Sequence, residues 1–264
     1  MAEMTGNPDA ITLGTGAITL TRELIEKMLT TIDAGVTPGL GSRIPGEMCV
    51  EAAISYALGL PHSDDPQCVN SAVRSFVIHL NDVAWSSTAA RAAGMRRLAI
   101  AQLGTRETLD SKVFISRMID LINRVYVPIV IRSVAGFHPS PTLTRKLEAA
   151  AHRCADTGSH DAVLDAAGVV ESAASSRFRL SKKHRNMVNS AASFVTDIAI
   201  ATDDEIFAPL APAKATTLAL DTASTLVHCS DNPDTLLAAY AEAIVQVLSE
   251  LRAPGIRWMP LARQ

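Results

Sequence analysis

Aromatic residues make up only 4% of this 264-residue chain, although hydrophobic residues reach 48% and much of that is alanine. Strands draw on β-branched and aromatic side chains, so the shortage argues against a sheet and for closely packed helices. Positive charge is not in excess either. The formal net charge of -3 excludes a general attraction to nucleic acid or anionic membrane and leaves only local contacts. The four cysteines, Cys49, Cys68, Cys154 and Cys229, form no CxxC pair. Neither zinc-ribbon nor dithiol redox spacing is therefore present, and no cofactor or metal is expected. No apolar run approaches the roughly 18 residues that a membrane span needs. The start of the chain shows no basic segment followed by an apolar one. These absences lead to the expectation of a soluble, cytoplasmic protein with free thiols, long enough to bury a core without disulfides.

What the chain does have is helical periodicity. Leu24, Ile25, Met28, Leu29 and Ile32 recur at helical spacing, as do Val69, Val73, Phe76, Val77 and Leu80, and the pattern returns as far as Leu251. Helix starts are marked by Ser86 or Ser87, Asp110, Ser140-Pro141, Ser159 and Ser181, and stops by Gly35, Gly59, Gly104 and Gly158. About ten helices with short loops and no alternating strand segments give an all-α protein, an irregular multi-helix bundle. Residues 1–18 lack helical period and read as a flexible N-terminal arm, whose Gly14-Thr15-Gly16 is too short for a phosphate loop. The rest, residues 19–264, reads as one helical domain with a weak subdivision near residues 129–141. Ile129–Val134 is the one run capable of forming a strand.

Chemistry concentrates between Pro45 and Asp82, where two helical patterns flank the polar turn Pro61-His62-Ser63-Asp64-Asp65-Pro66. The first pattern is apolar on both sides, so Glu51 falls in partly buried surroundings and needs a partner. A buried Glu51 with a raised pKa suits a general base, and Cys49 or Cys68 activated by His62 suits a nucleophile. Asp65 followed by Pro66 predicts the start of the next helix and puts Cys68 in its first turn, where the helix dipole lowers a thiol pKa. Cys49, Glu51, His62, Asp64, Asp65 and Cys68 are also ligand types for zinc, yet their spacing matches no metal signature. The bland alternative is that Glu51 hydrogen-bonds across a helix interface and His62 satisfies its turn. A similar polar turn holds His228 and Cys229.

The strongest charge feature runs from Arg177 to Arg185 and contains Arg177, Phe178, Arg179, Lys182, Lys183 and Arg185. These cations crowd the predicted start of a helix, where the dipole disfavours them, and a bound phosphate, nucleic acid or acidic partner would resolve the conflict. A solvated loop is the plainer reading. Arg96 and Arg97 are candidates to extend the patch.

One pattern carries a resemblance. C-x-E-A, followed by P-H-S-D-D-P-x-C-V and a helix ending N-D, is carried here by Cys49, Glu51 and Ala52, then Pro61–Pro66, Cys68 and Val69, then Asn81 and Asp82. It resembles a pattern found in bacterial and phage-encoded helical proteins of no established activity, and implies a bacterial or viral origin without a mechanism. The sequence as a whole points first to a binding or assembly protein that acts through helix surfaces, self-associating or meeting a protein partner. A hydrolase or transferase with a pocket around Glu51, His62 and Cys68 is the second expectation. Phosphate or nucleic-acid binding through Arg177–Arg185 is the third.

Overall fold

Hydroxyl side chains open five of the helices. In the computed structural model, which describes residues 10–13, 18–202 and 211–263, Oγ1 of Thr21 accepts from the Leu24 N–H at 3.3 Å. Ser87, Ser140, Ser159 and Ser181 accept in the same way from Ala90, Leu143, Ala162 and His184. Each bond satisfies one of the amides that a helix start leaves unpaired. The protein is all-α, with twelve α-helices among the described residues. None of them is long and apolar enough to cross a membrane.

The chain forms two compact units, residues 1–114 with 234–264 and residues 115–233. The division therefore falls outside the 129–141 segment expected from the sequence. The first unit contains α1 (Arg22–Asp33), α2 (Val50–Ala57), α3 (Ser71–Asp82), α4 (Thr88–Ala101), the single turn α5 (Thr105–Thr108) and the start of α6 (Ser111–Leu121). Nearly all of the late helix α12 (Pro233–Glu250) and a closing 3-10 segment (Pro254–Arg263) complete it. Helix α1 packs on α2 and α4, while α2 also meets α3. Ile25, Met28, Ile32, Ile54, Phe76, Leu80 and Met95 fill the centre, and Phe76 meets the Phe114 ring edge-on at 5.6 Å. Gly94 lets the Trp85 ring approach the α4 backbone, since a Cβ there would lie 2.4 Å from the indole.

The second unit runs from the remainder of α6 through a π-helical turn (Ile122–Tyr126) into α7 (Val127–Ala135), α8 (Pro141–Thr157), α9 (His160–Ala174), α10 (Lys182–Ala201) and α11 (Ala211–His228). Successive helices from α7 to α11 pack on one another, and α10 also reaches α7. The π turn answers Pro128: in a plain α-helix its ring would collide with the carbonyl four residues back, whereas here the Val127 N–H reaches the Ile122 carbonyl over a wider turn. The same turn directs Asn123 and Arg124 to the α8–α9 corner, where they donate to the Gly158, Asp156 and Thr157 carbonyls.

Four sequence expectations change. Ala10–Leu13 of the presumed arm pairs antiparallel with Ile18–Thr21, as strands β1 and β2, while Gly14–Gly16 lie outside the described residues. Ile129–Val134 is helix, because Val130, Ile131 and Val134 share one buried face and burial overrides the β preference of branched residues. Asp65 does not cap α3. Asn70 does, its Oδ1 accepting from the Ala72 N–H at 2.9 Å and from Ser111 Oγ at 3.0 Å, while its amide donates to the Leu109 carbonyl. Cys68 therefore precedes the cap and has no helix dipole behind it.

The start of α2 and the end of α3 are joined through Asn81, which is buried. Its Oδ1 accepts from the Val50 N–H at 3.3 Å, and its amide donates to the Thr37 carbonyl at 3.0 Å and to Asp82 Oδ1 at 2.8 Å. Asp82 Oδ1 in turn accepts from the Gly39 N–H at 2.7 Å. Replacing Asn81 by alanine orphans a buried amide and a carbonyl, and should lower unfolding free energy by about 2–4 kcal/mol. Urea denaturation of the purified variant measures this, with the slope of the transition unchanged.

Candidate functional site

Glu51 sits in the first turn of α2, one residue after the segment that enters the helix at its cap, Cys49. Cys49 Sγ accepts from the Ala52 N–H at 3.3 Å, so Cys49 caps the helix while packing in an apolar cluster with Met48, Ala52 and Tyr56. The residues on both sides of this short helix are buried, and Glu51 goes with them: 1% of it is exposed. Neither carboxylate oxygen has a hydrogen-bond partner. Gln102 lies near enough to temper its pKa, yet both amide atoms of Gln102 are also without a partner, so no well-formed bond links the two. Loss of hydration raises the Glu51 pKa from an ordinary 4.5 to about 8, outweighing the attraction of Arg74 and Gln102. Glu51 is therefore mostly a neutral acid at pH 7.

A cavity of about 30 Å³ opens beside this carboxyl, lined by Gly39, Leu40, Cys49, Glu51, Asp64, Ile78, Asn81 and Asp82. Gly39, Leu40, Asp64 and Asp82 are exposed, whereas Cys49, Glu51 and Asn81 are buried. The cavity is thus a narrow well with a solvent-facing rim and Glu51 at its floor. Its entrance is shaped by the loop that returns at Gly41, where a left-handed φ of 68° and a Cβ position 1.9 Å from the Glu47 carbonyl admit only glycine.

Of the residues expected to form a catalytic set, the fold draws Glu51 and Cys68 into mutual electrostatic range but leaves His62 apart. His62 is half-buried, and its Nε2–H donates to the Gly41 carbonyl at 3.0 Å, with Nδ1 buried and unpartnered. It makes no hydrogen bond to either residue. Burial pushes the Cys49 and Cys68 thiols up to about 11, so both are protonated at neutral pH and poor nucleophiles. Among the described residues no three His, Cys, Asp or Glu side chains converge as metal ligands. Asp65 is bound to Arg74 at 2.6 Å and lies 3.7 Å from Arg106; Asp64, its neighbour, makes no ion pair or hydrogen bond among the described residues. Gln102 gave no signal in the sequence because it reaches Glu51 from the end of a different helix.

The basic run lies in the second unit. Arg177, Arg179, Lys182, Lys183 and Arg185 are all exposed. Lys183 pairs with Asp231 at 2.9 Å and holds that carboxyl below its usual range, while the other four have no ion pair among the described residues. Phe178 stands between two of the arginines, 48% exposed, in an edge-on contact with His138 whose ring centroids are 5.7 Å apart. Phe137 stacks on His184 at 4.2 Å alongside. Arg96 and Arg97 belong to the first unit, where they are bound to Asp33 and Glu242, each at 2.8 Å. His228 is exposed, its Nδ1 on the Ser224 carbonyl, and burial raises the Cys229 thiol to about 11. No protein-family model, curated protein or solved structure matches the chain.

Glu51 leaves a signature in the pH dependence of stability. Its folded-state pKa lies above the unfolded value, so between about pH 4.5 and 8 the folded chain keeps a proton that the unfolded chain releases. Stability from this group is full below that window and falls as pH rises through it. Glu51→Gln removes the ionisation and should stabilise the protein at pH 9 by on the order of 3 kcal/mol, while changing little at pH 4.5. Thermal melts across pH compare the two proteins; parallel curves would show that Glu51 is not the titrating group.

Proposed function

We propose that the chain is a binding protein whose contact surface surrounds the start of α10 and whose partner carries dense negative charge, with single-stranded nucleic acid as the best fit. The observation that carries this reading is the grouping of four exposed, unpaired cations, Arg177, Arg179, Lys182 and Arg185, around an exposed aromatic ring, Phe178. Cations track a phosphate backbone, and an exposed ring offers a face on which a base can stack. The negative charge of the whole chain confines the attraction to this patch. The hydrolase or transferase reading has less support, because its thiol is protonated and out of contact with its histidine.

Self-association through helix surfaces is a second reading, favoured by Leu164, Ile200 and Leu220, which are 55%, 47% and 46% exposed on helices of the second unit. A contiguous patch formed by such side chains would mark a contact surface. A solution mass above 28.0 kDa in analytical ultracentrifugation, returning to the monomer mass in Leu164→Asp, is its expected outcome.

Fluorescence anisotropy with a labelled single-stranded oligonucleotide tests the leading reading. Affinity should fall steeply with salt, and the triple variant Lys182→Ala, Lys183→Ala, Arg185→Ala should weaken binding by about tenfold or more and flatten the salt slope. Phe178→Ala should lose a further 1–3 kcal/mol, roughly, with the slope intact. Binding that ignores these substitutions, or none at low salt, overturns the reading.

A further inference from the structure

The well above Glu51 combines a cavity with a buried acid that lacks a well-formed hydrogen bond. Arg91 is also buried, but its guanidinium donates to the Val36 and Val83 carbonyls at 3.0 and 3.2 Å, an architectural use. Glu51 is buried just as deeply, neither of its oxygens has a well-formed hydrogen bond, and the residue lines a cavity. Buried polar atoms without partners are rare in native proteins and call for an explanation. The rim supplies Asp64, whose carboxylate is uncommitted, and Asp82, already engaged by the Gly39 N–H and the Asn81 amide. Every charged group lining the well is acidic. Arg74, the cation that acts on Glu51, is itself paired with Asp65 at 2.6 Å.

We propose that this well receives a primary ammonium group, with Glu51 and Asp64 as its acceptors. Size, charge and hydrogen bonding each point there. About 30 Å³ holds a group on the scale of one or two water molecules, which suits –NH3⁺ better than a guanidinium or a trimethylated amine. An anion would meet only carboxylates. A metal ion would need converging ligands that the described residues do not provide. An ammonium has three N–H donors and no acceptor, and two unpartnered Glu51 oxygens with one free Asp64 carboxylate are a matching set of acceptors. Glu51 also stands in the first turn of α2, where the helix end favours its ionised form once a cation compensates for burial. Entry of the ammonium therefore releases the Glu51 proton to solvent: the carboxylic O–H is lost, the carboxylate forms, and net charge in the well is conserved. The groups acting on Glu51 in this exchange are Arg74 from α3, Asp64 and Asp65 from the turn, the Gln102 amide beyond α4, and the Cys49 and Cys68 thiols, which stay protonated. The ammonium belongs either to a free small amine or to a lysine side chain of a protein partner, and the chemistry of the well is common to both.

Isothermal titration with the full chain tests the proposal, using methylammonium and butane-1,4-diammonium as small amines and Nα-acetyl-lysine amide as the side-chain mimic. Saturable binding is expected for at least one of them, tightening as pH rises toward about 8, with proton release visible as a dependence of the heat on buffer. Tetramethylammonium should not bind, and potassium or magnesium should not compete. Glu51→Gln should weaken binding by about tenfold or more, and the exposed Asp64→Asn, which leaves the core untouched, by roughly threefold or more. Preference for the lysine mimic assigns a partner's side chain; preference for the diamine assigns a free amine. No saturable binding by any probe, equal binding of tetramethylammonium, displacement by the metal ions, or full affinity in both variants overturns it.

Discussion

One buried amide holds the first unit in register. Asn81 is where the end of α3, the start of α2 and the loop through Thr37 and Gly39 meet, and each of its polar atoms is used. Helices with so few aromatic side chains have little shape to lock them against sliding, and an amide whose donors and acceptor are all committed supplies direction that apolar packing lacks. The rim of the well is a by-product of that register. Asp82 and the Gly39 backbone stand where they do because Asn81 fixes the residues beside them.

Against that fixed frame, the treatment of two buried charges differs. Arg91 is surrounded by carbonyls from the loops before α2 and after α3, and its charge is spread over bonds that the backbone offers in any case. Glu51 receives nothing comparable and is kept neutral. A neutral acid still disfavours burial without a partner, and Glu51 differs from other buried groups left without one, Ser55 and Gln102 among them, in being an acid that lines a cavity. That contrast, more than the presence of an acidic residue, separates a site from a structural residue.

Much of the helical layout was legible in the chain. Ser87, Ser140, Ser159 and Ser181 cap helices because a local hydroxyl reaching an amide three residues on is a short-range event. Asp65-Pro66 carried the same local signal and misled, since Arg74 and Arg106 claim the carboxylate and Asn70 gains bonds to Leu109 and Ser111 that become available only in the fold. Ile129–Val134 misled for a related reason, its branched residues being placed by burial on α7. At the site, the depth of Glu51 followed from a helix apolar on both sides. The company it keeps did not: Gln102 and the Gly39 loop arrive from distant positions, and His62 is taken by Gly41.

The wide turn between α6 and α7 has a history written into its geometry. A π segment holds one residue more than the α-helix it interrupts, which is what a single-codon insertion into an ancestral helix would leave. Removing one residue between Ile122 and Tyr126 would swing the preceding helix face by about 100° relative to α7, so that Asn123 and Arg124 could no longer close the α8–α9 corner while Val130, Ile131 and Val134 kept their places inside. The length of that turn is thus as constrained as the Asn123 and Arg124 side chains that it presents to the corner.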